Sequence, residues 1–145
     1  MDKLDTEFKN ANDSPGFLLW QISNKWQAQQ RAALKPFGIT HVQFVLLACL
    51  VYASGNINFT QKRLATHAQI DAMMTSQVLR KLEQKGLVKR HVSTTDGRAY
   101  TIKPTPAGVM LVNKAVKVVE SVDKEFFDIK GIDLDILIKM MRRLT

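Results

Sequence analysis

Two helices joined by a tight connection are predicted by residues 60–90, TQKRLATHAQIDAMMTSQVLRKLEQKGLVKR. Thr60 caps a short helix over residues 61–67, because an N-cap hydroxyl accepts a hydrogen bond from a free backbone N–H. Asp71 caps the next helix in the same way, and its charge suits the positive end of the helix dipole. Gly86 ends that helix. The segment therefore has the order helix, turn, helix.

The helix that begins after Asp71 has two different faces. With about 100° of rotation per residue, its apolar face carries Thr75, Val78, Leu79 and Leu82. Its opposite face carries Met73, Ser76, Gln77 and Arg80. Glutamine bonds adenine, arginine bonds guanine, serine bonds either kind of base, and methionine contacts the thymine methyl. This face is predicted to enter the DNA major groove, and the alternative is an ordinary solvated helix face.

Two extended runs, residues 87–92 and 99–103, follow this helix and predict a β-hairpin. Asp96-Gly97 between them is a strong turn dipeptide. Arg98 comes directly after the turn, where its guanidinium would extend into a narrow minor groove with negative potential. Asp96 would steer Arg98 by pairing with it. The alternative is an exposed ion pair of little energetic value.

The positive charge of the chain is concentrated in the same region. The net charge is +8, and residues 60–103 contain nine Lys/Arg against three Asp/Glu. A basic chain favours nucleic acid, a membrane surface or an acidic protein as partner, and charge gathered beside the polar helix face favours nucleic acid. The crowded cations, which a surface that tracks the phosphate backbone needs, are Lys81, Lys85, Lys89, Arg90, Arg98 and Lys103. The predicted phosphate contacts are Thr60, Gln61, Lys81, Lys89 and Arg90.

Further helices are predicted on both sides of this region. Ser14-Pro15 starts a helix that reaches about residue 34, and Thr40 with Gln43 forms a capping box for a buried helix. Thr105-Pro106 starts a long helix that reaches about residue 128, and Asp133 caps a last one. The apolar stripes of these two C-terminal helices favour pairing with a second chain, and the alternative is a monomer core.

The composition argues against several other classes of protein. The one cysteine, Cys49, lies in an apolar run, so we expect a structural thiol, no disulfide and a reducing, cytoplasmic location. The N-terminus lacks the pattern of a signal peptide, and no apolar run approaches the roughly 18 residues of a membrane span. The three histidines lie far apart, at positions 41, 67 and 91. No enzyme activity, metal or cofactor is predicted.

Several motifs together resemble the MarR family of winged helix-turn-helix regulators. They are Leu64-Ala65, Asp71, residues 82–90, Asp96-Gly97-Arg98 and Thr105-Pro106-Ala107-Gly108. The most specific part is the family's Asp-x-Arg followed by Thr-x-x-Gly, which matches Asp96, Arg98, Thr105 and Gly108. The resemblance runs from about residue 14 to the end of the chain.

The resemblance implies one domain over residues 1–145, mainly α with a small β wing. It implies a homodimer joined by helices at about residues 14–35 and 105–145, with a DNA-binding winged helix-turn-helix lobe at about residues 40–103. It also implies a pseudo-palindromic double-stranded operator, and most members repress transcription. The chain departs from the usual family pattern at two places. Many members have Pro, Ser or Thr where this chain has Ala72-Met73-Met74. Pro104 replaces the usual aliphatic residue and is predicted to end the second wing strand.

Members of this family often bind phenolic or other aromatic effectors where the first and second helices meet. The aromatic residues predicted near that position are Trp20, Trp26, Phe37, His41 and Phe44. Packing in the core is the alternative reading of this cluster. For the whole chain, the alternative to a regulator is a winged-helix adaptor that uses its basic face on an acidic protein and has no operator specificity.

Overall fold

The computed structural model describes residues 3–92 and 100–145, which form six α-helices and three β-strands. The order of these elements is α1 (Pro15–Leu34), α2 (His41–Tyr52), β1 (Phe59–Thr60), α3 (Gln61–Ala68), α4 (Ala72–Gln84), β2 (Val88–Val92), β3 (Tyr100–Pro104), α5 (Pro106–Phe126) and α6 (Leu134–Arg142). Two short 3-10 turns, Ala11–Asp13 and Lys35–Phe37, flank α1. The predicted class, mainly α with a small β component, is confirmed.

The helix starts are fixed by the side chains that the sequence predicts as caps. Oxygen atoms of Ser14, Thr40, Thr60, Asp71, Thr105 and Asp133 each accept a hydrogen bond from a backbone N–H in the first turn that follows. The capping box of Thr40 and Gln43 has both of its hydrogen bonds, at 3.2 Å each. Each cap satisfies an N–H that the helix itself leaves free. The order of helices follows from these local signals.

The sheet has three antiparallel strands in the order β1-β3-β2. Along β2 and β3, Val88 pairs with Pro104 and Val92 with Tyr100. β3 ends at Pro104, as predicted, because proline has no N–H to continue the ladder. The short strand β1 adds to the other edge of β3 by pairing Phe59 with Ile102. Those two residues are both buried, so the extra strand closes one side of the core.

The core lies between the end of α1, α2, α3, α4, α5 and the sheet. Its fully buried leucines are Leu34, Leu46, Leu47, Leu64, Leu79 and Leu82. α2 is buried along most of its length, which explains why its sequence is apolar on all sides. The inner face of α4 joins this core through Val78, Leu79 and Leu82. The opposite face of α4 is thereby directed to solvent.

A tight junction joins the end of α4 to the start of α5. The Thr105 hydroxyl donates to the Gly86 carbonyl at 2.6 Å and accepts from the Gly108 N–H at 3.1 Å. The Thr105 N–H donates to the Leu87 carbonyl at 3.0 Å. A Cβ on Gly108 would overlap that same Leu87 oxygen, so only glycine permits this approach. The junction gives a physical reason for the Thr-x-x-Gly motif.

The helices at the two ends of the chain expose much apolar surface. α6 has no buried residue at all. The exposed large apolar residues of α1 are Phe17, Leu18, Leu19, Trp20 and Ile22. Those in and around α6 are Ile129, Ile132, Leu134, Ile136, Met140, Met141 and Leu144. Within the described ranges no single helix is long and apolar enough to cross a membrane. One pair of helical segments, residues 15–37 and 41–52, is long and apolar enough when taken together, but the two segments are bent by 75° relative to each other.

Candidate nucleic-acid interface

The outer face of α4 carries all four residues that the sequence assigns to base edges. The Asp71 carboxylate accepts from the Met74 N–H at 2.8 Å, which fixes the first turn of the helix. The residues of the inner face, Thr75, Val78, Leu79 and Leu82, are buried. On the outer face, Ser76 is half-buried, and the exposed residues are Met73, Gln77 and Arg80. The structure thus brings these four side chains to one surface, and their contacts with bases remain predictions.

Two of these side chains touch each other along the helix. The Arg80 Nη2 donates to the Ser76 hydroxyl oxygen at 3.4 Å. The contact is weak by its length, but it lays the guanidinium along the outer face of α4. Less rotamer freedom is then lost when Arg80 binds a partner.

The start of α3 holds the two uncharged residues predicted to contact phosphate. The Thr60 hydroxyl oxygen accepts from the Arg63 N–H at 3.3 Å and so caps the helix. Its hydroxyl proton remains able to donate, because a hydroxyl is both donor and acceptor. Gln61 is half-buried in the first turn. The positive end of the α3 dipole lies at the same place, which suits an anion.

The cations predicted to contact phosphate differ in their surroundings. Lys81 and Lys89 are exposed. The Arg90 Nε lies 3.3 Å from a Glu83 carboxylate oxygen, but its N–H is not aimed to form a hydrogen bond, so the contact is an ion pair only. This partly exposed pair links β2 to α4. Arg90 therefore has a positioning contact that the sequence did not indicate.

Lys85 is also placed differently from the other cations of this region. Its Nζ donates to the Gly38 carbonyl at 2.6 Å and to the Gln43 side-chain oxygen at 3.2 Å. The sequence grouped Lys85 with a phosphate-tracking surface. In the structure its ammonium instead bonds the turn between α1 and α2. Sequence reasoning missed this contact because nothing local to Lys85 indicates it.

The predicted wing tip, with Asp96 and Arg98, lies outside the described residues. The strands that lead to it, β2 and β3, pair in register up to Val92 and Tyr100. The predicted pairing of Asp96 with Arg98 and the entry of Arg98 into the minor groove therefore stay predictions.

Of the residues predicted to line an effector pocket, Trp26, His41 and Phe44 form an aromatic cluster. The rings of Trp26 and His41 meet edge to face with centroids 4.9 Å apart, and His41 stacks on Phe44 at 6.4 Å. Phe44 is buried and Phe37 is half-buried, whereas Trp20 is 66% exposed on α1. Three of the five residues thus pack on one another, as the core-packing alternative expects. Whether an effector binds there stays a prediction.

A partly buried polar network lies beside this cluster and links α1 to α5. The Trp26 Nε1 donates to the Asp123 carboxylate at 2.7 Å, and the Gln30 Nε2 donates to the same oxygen at 2.9 Å. Gln30 also donates to the Val119 carbonyl at 3.3 Å and is fully buried. Burial lowers the pKa of His41, with Asp123 opposing and Arg31 adding to the shift. The neutral form of His41 is therefore favoured in the folded chain.

A cavity that the sequence did not predict lies between α2, α3 and α5. Its volume is ≈ 450 Å³. The lining residues are Ala48, Cys49, Val51, Tyr52, His67, Val112, Asn113 and Val116. Most of them are apolar, with a few polar groups at His67, Asn113 and Tyr52, as is common in small-molecule sites. Burial raises the pKa of the Cys49 thiol, which fits the structural role expected of this cysteine.

No group of three or more His, Cys, Asp or Glu side chains is placed to hold a metal ion in residues 3–92 and 100–145. The polar groups described above are hydrogen-bond donors, caps and ion pairs. What the arrangement offers is a binding surface, with donors and cations exposed around one rigid helix.

Comparison with known proteins gives matches over most of the chain. A model of the MarR family matches residues 39–100. The Bacillus subtilis protein YdcH, called an uncharacterized HTH-type transcriptional regulator, is 42% identical over 123 residues, which are 84% of each chain. An HTH-type transcriptional repressor of Mycobacterium tuberculosis is 35% identical over 114 residues, covering 78% of this chain and 80% of that protein.

Solved structures show the same fold. The transcriptional repressor CouR bound to a 23-mer DNA duplex superposes with a TM-score of 0.83 at 22% identity, covering 97% of this chain and 98% of that one. CouR from Rhodococcus jostii RHA1 bound to p-coumaroyl-CoA superposes with a TM-score of 0.82 at 24% identity, covering 94% and 93%. At these identities the likeness concerns the fold.

Proposed function

The chain belongs to the MarR family, and on that premise we propose that it is a dimeric, sequence-specific regulator that binds double-stranded DNA and represses transcription. One observation carries the proposal: α4 is anchored in the core by one face and exposes Met73, Ser76, Gln77 and Arg80 on the other. An α-helix fits the major groove, and these side chains bond or contact base edges there.

The charge around α4 supports DNA as the partner. Lys81 and Lys89 are exposed beside the base-contacting face, and Thr60 and Gln61 begin α3 nearby in the chain. Contacts from such residues to phosphate fix the register of a protein on the duplex, while base contacts supply the specificity. We assign Arg98 of the wing to the minor groove and Asp96 to steering it.

The exposed apolar faces of α1 and α6 support dimerisation. We assign it to residues 14–35 and 105–145, and DNA binding to residues 40–103. A face that carries Leu19 at 64% and Trp20 at 66% exposure is costly to leave in water. A second copy of the chain would cover it by two-fold symmetry, since each copy presents the same face. Two copies would then contact half-sites about one helical turn, or ~34 Å, apart in a pseudo-palindrome.

A small aromatic or otherwise apolar effector would release the repressor from DNA. The cavity between α2, α3 and α5 has a suitable volume and apolar walls, and CouR has been solved with p-coumaroyl-CoA. The cavity borders α3, which packs on α4, so a ligand that widened it would move the DNA-contacting helices. Linkage requires that an effector weaken DNA binding by the same factor by which DNA weakens effector binding.

Selection of duplexes from a random pool tests the central claim. The expected result is a pseudo-palindromic sequence bound at least a thousandfold more tightly than random duplex, with affinity that falls steeply as salt rises. Light scattering of the free protein should give the mass of a dimer. An adaptor without operator specificity would bind every duplex alike, and that outcome, or a stable monomer, would refute the proposal.

The proposed role is binding and carries no catalytic step, metal or cofactor. We place it in the cytoplasm, because a bacterial operator is found there and the relatives named above are bacterial proteins. Reporter expression from the selected operator, with and without the gene for this chain, distinguishes repression from activation. Higher expression in the absence of the chain is expected of a repressor.

A further inference from the structure

The first turn of α4 exposes two thioethers at the proposed DNA surface. Met73 is 74% exposed and Met74 is 46% exposed, whereas Thr75, the next residue, is fully buried. Met73 precedes Gln77 by one helical turn on the same face. A change in the Met73 side chain therefore alters the surface directly beside a proposed base contact.

The other sulfur groups have different surroundings. Cys49 is half-buried in apolar contacts, and burial raises the pKa of its thiol, so little reactive thiolate is present near neutral pH. A thioether has no proton to lose, and its oxidation depends mainly on access to the sulfur. Met110 on α5 is 62% exposed and lies outside the proposed DNA surface and outside the exposed apolar face of α6. It provides an internal control once light scattering has shown that its variant is a dimer.

We propose that Met73 and Met74 form an oxidation-sensitive modification site at which hypochlorous acid or a hydroperoxide converts the thioether to a sulfoxide and weakens operator binding. The inference rests on the proposed function, because it requires that α4 contact DNA. Its substrate class is a two-electron oxidant that transfers one oxygen atom.

The chemical step balances without a cofactor. The sulfur lone pair attacks the oxygen of hypochlorous acid, the S–O bond forms, the O–Cl bond breaks, and chloride and a proton leave. With a hydroperoxide the O–O bond breaks instead and an alcohol leaves. In both cases sulfur loses two electrons to the oxidant. A sulfoxide reductase reverses the change by using two thiols, which become a disulfide while the oxygen leaves as water.

The product is poorly suited to the major groove. A sulfoxide oxygen only accepts hydrogen bonds, so it can pair with the amino groups of adenine and cytosine. It cannot pair with the acceptors at N7 of adenine and guanine, O6 of guanine or O4 of thymine, the base whose methyl group Met73 is proposed to contact. The apolar contact of Met73 with a thymine methyl is replaced by a polar group facing another acceptor. Each dimer has two recognition helices, so both half-sites are affected. A loss of roughly tenfold or more in affinity is expected.

The experiment first measures binding of untreated dimer to the selected duplex, by fluorescence anisotropy. The protein is then treated with a few equivalents of hypochlorite, quenched with free methionine, analysed by peptide mass spectrometry and measured again. Three proteins are compared: wild type, a Met73→Leu/Met74→Leu variant, and a Met110→Leu control whose dimer mass is checked by light scattering. Leucine is a good helix former and keeps an apolar contact without sulfur.

Wild type and control are expected to lose roughly tenfold in affinity on treatment and to recover it after incubation with sulfoxide reductase and a thiol. The Met73→Leu/Met74→Leu variant, whatever its affinity before treatment, is expected to show the same affinity after treatment. If its affinity is lowered by the substitutions, the decisive result is whether lost wild-type binding follows sulfoxide occupancy at residue 73 or at residue 110 over an oxidant titration.

The two proposals fail in distinguishable ways. Absence of preference for any duplex before treatment refutes the DNA-binding function. Tight binding that is unchanged when residues 73 and 74 are oxidised refutes the modification site alone. Equal loss of affinity in the Met73→Leu/Met74→Leu variant, or a loss that follows oxidation of Met110, also refutes it.

Discussion

The Lys85 ammonium, in the cap that ends α4, lies 2.6 Å from the carbonyl oxygen of Gly38, 47 positions earlier in the chain. Gly38 closes the 3-10 turn after α1 with a φ of 68°, so its carbonyl marks the elbow between α1 and α2. The contact bonds the end of α4 directly to this elbow, where the proposed dimerisation helix meets the proposed DNA-binding lobe.

Replacing Lys85 with methionine should lower the free energy of unfolding by about 1 kcal/mol, because the Gly38 carbonyl loses a charged donor while the aliphatic packing is kept. Lys81→Met is the matched control on the same helix, where the ammonium has no hydrogen-bond partner in the described part of the chain, and it should change stability by less than about 0.5 kcal/mol. Urea unfolding measures both. Equal effects would argue against the Lys85 contact.

Gly108→Ala should destabilise the chain by about 1 to 3 kcal/mol, because the new methyl group would overlap the Leu87 carbonyl. Gly16→Ala is the control, since a Cβ there meets nothing closer than the Ser14 hydroxyl at 4.0 Å. The control should leave stability unchanged or slightly raised. The midpoint temperature of thermal unfolding should therefore fall for Gly108→Ala and should not fall for Gly16→Ala. A Gly108→Ala variant with the wild-type midpoint would contradict the described junction.

Gln77→Ala or Arg80→Ala should cost about 1 to 3 kcal/mol of operator binding and relax the choice of base at defined positions. Lys81→Ala should instead weaken binding to all sequences and reduce the salt slope by about one. Repeating the duplex selection with each variant separates the two effects. If Gln77→Ala weakened all sequences uniformly, its assignment to base contact would be wrong.

Arg98→Ala should lower operator affinity, make the salt dependence shallower and reduce any preference for A·T-rich flanking sequence, because a narrow minor groove attracts arginine through its negative potential. Lys130→Ala removes an exposed cation outside the proposed DNA-binding lobe and serves as control. Binding titrations at several salt concentrations test both. An Arg98→Ala variant with wild-type affinity and footprint would remove the wing from the interface.

The free energy of unfolding should fall more steeply with decreasing pH in the wild type than in a His41→Gln variant. Burial lowers the pKa of His41 in the folded state, so below the ordinary value of 6.5 the unfolded chain takes up a proton first. The contribution of neutral His41 is therefore complete above about pH 6.5 and is lost as the pH falls through its folded pKa. Unfolding of wild type and His41→Gln between pH 5 and 8 measures the difference. A difference independent of pH would contradict the lowered pKa.

Local signals in the sequence were sufficient to place the helices. Asp71 and Thr105 are caps whose partners lie within the next three residues, so the bond is readable from spacing alone. The division of α4 into a buried and an exposed face followed from its period in the same way. The end of β3 at Pro104 was predictable because proline has no backbone N–H to donate to the sheet.

Contacts between distant parts of the chain were not predictable. The pairing of β1 with β3 depends on Phe59 and Ile102, which two residues of strand cannot indicate. Lys85 and Arg90 were read as cations facing phosphate, since sequence does not show that Gly38 and Glu83 lie within their reach. The cavity between α2, α3 and α5 likewise arises only when three helices pack. Periodicity indicates which face is buried, and it does not indicate what that face meets.

The Thr105 hydroxyl has a consequence for how signals would pass through the dimer. By bonding Gly86 on one side and Gly108 on the other, it couples the start of α5 to the end of α4. Bending at the base of α5 would then carry α4 with it and, in the proposed dimer, alter the separation of the two α4 helices. Such a signal would decide whether both copies fit one duplex at the same time, while the sequence preferred by each copy stayed the same.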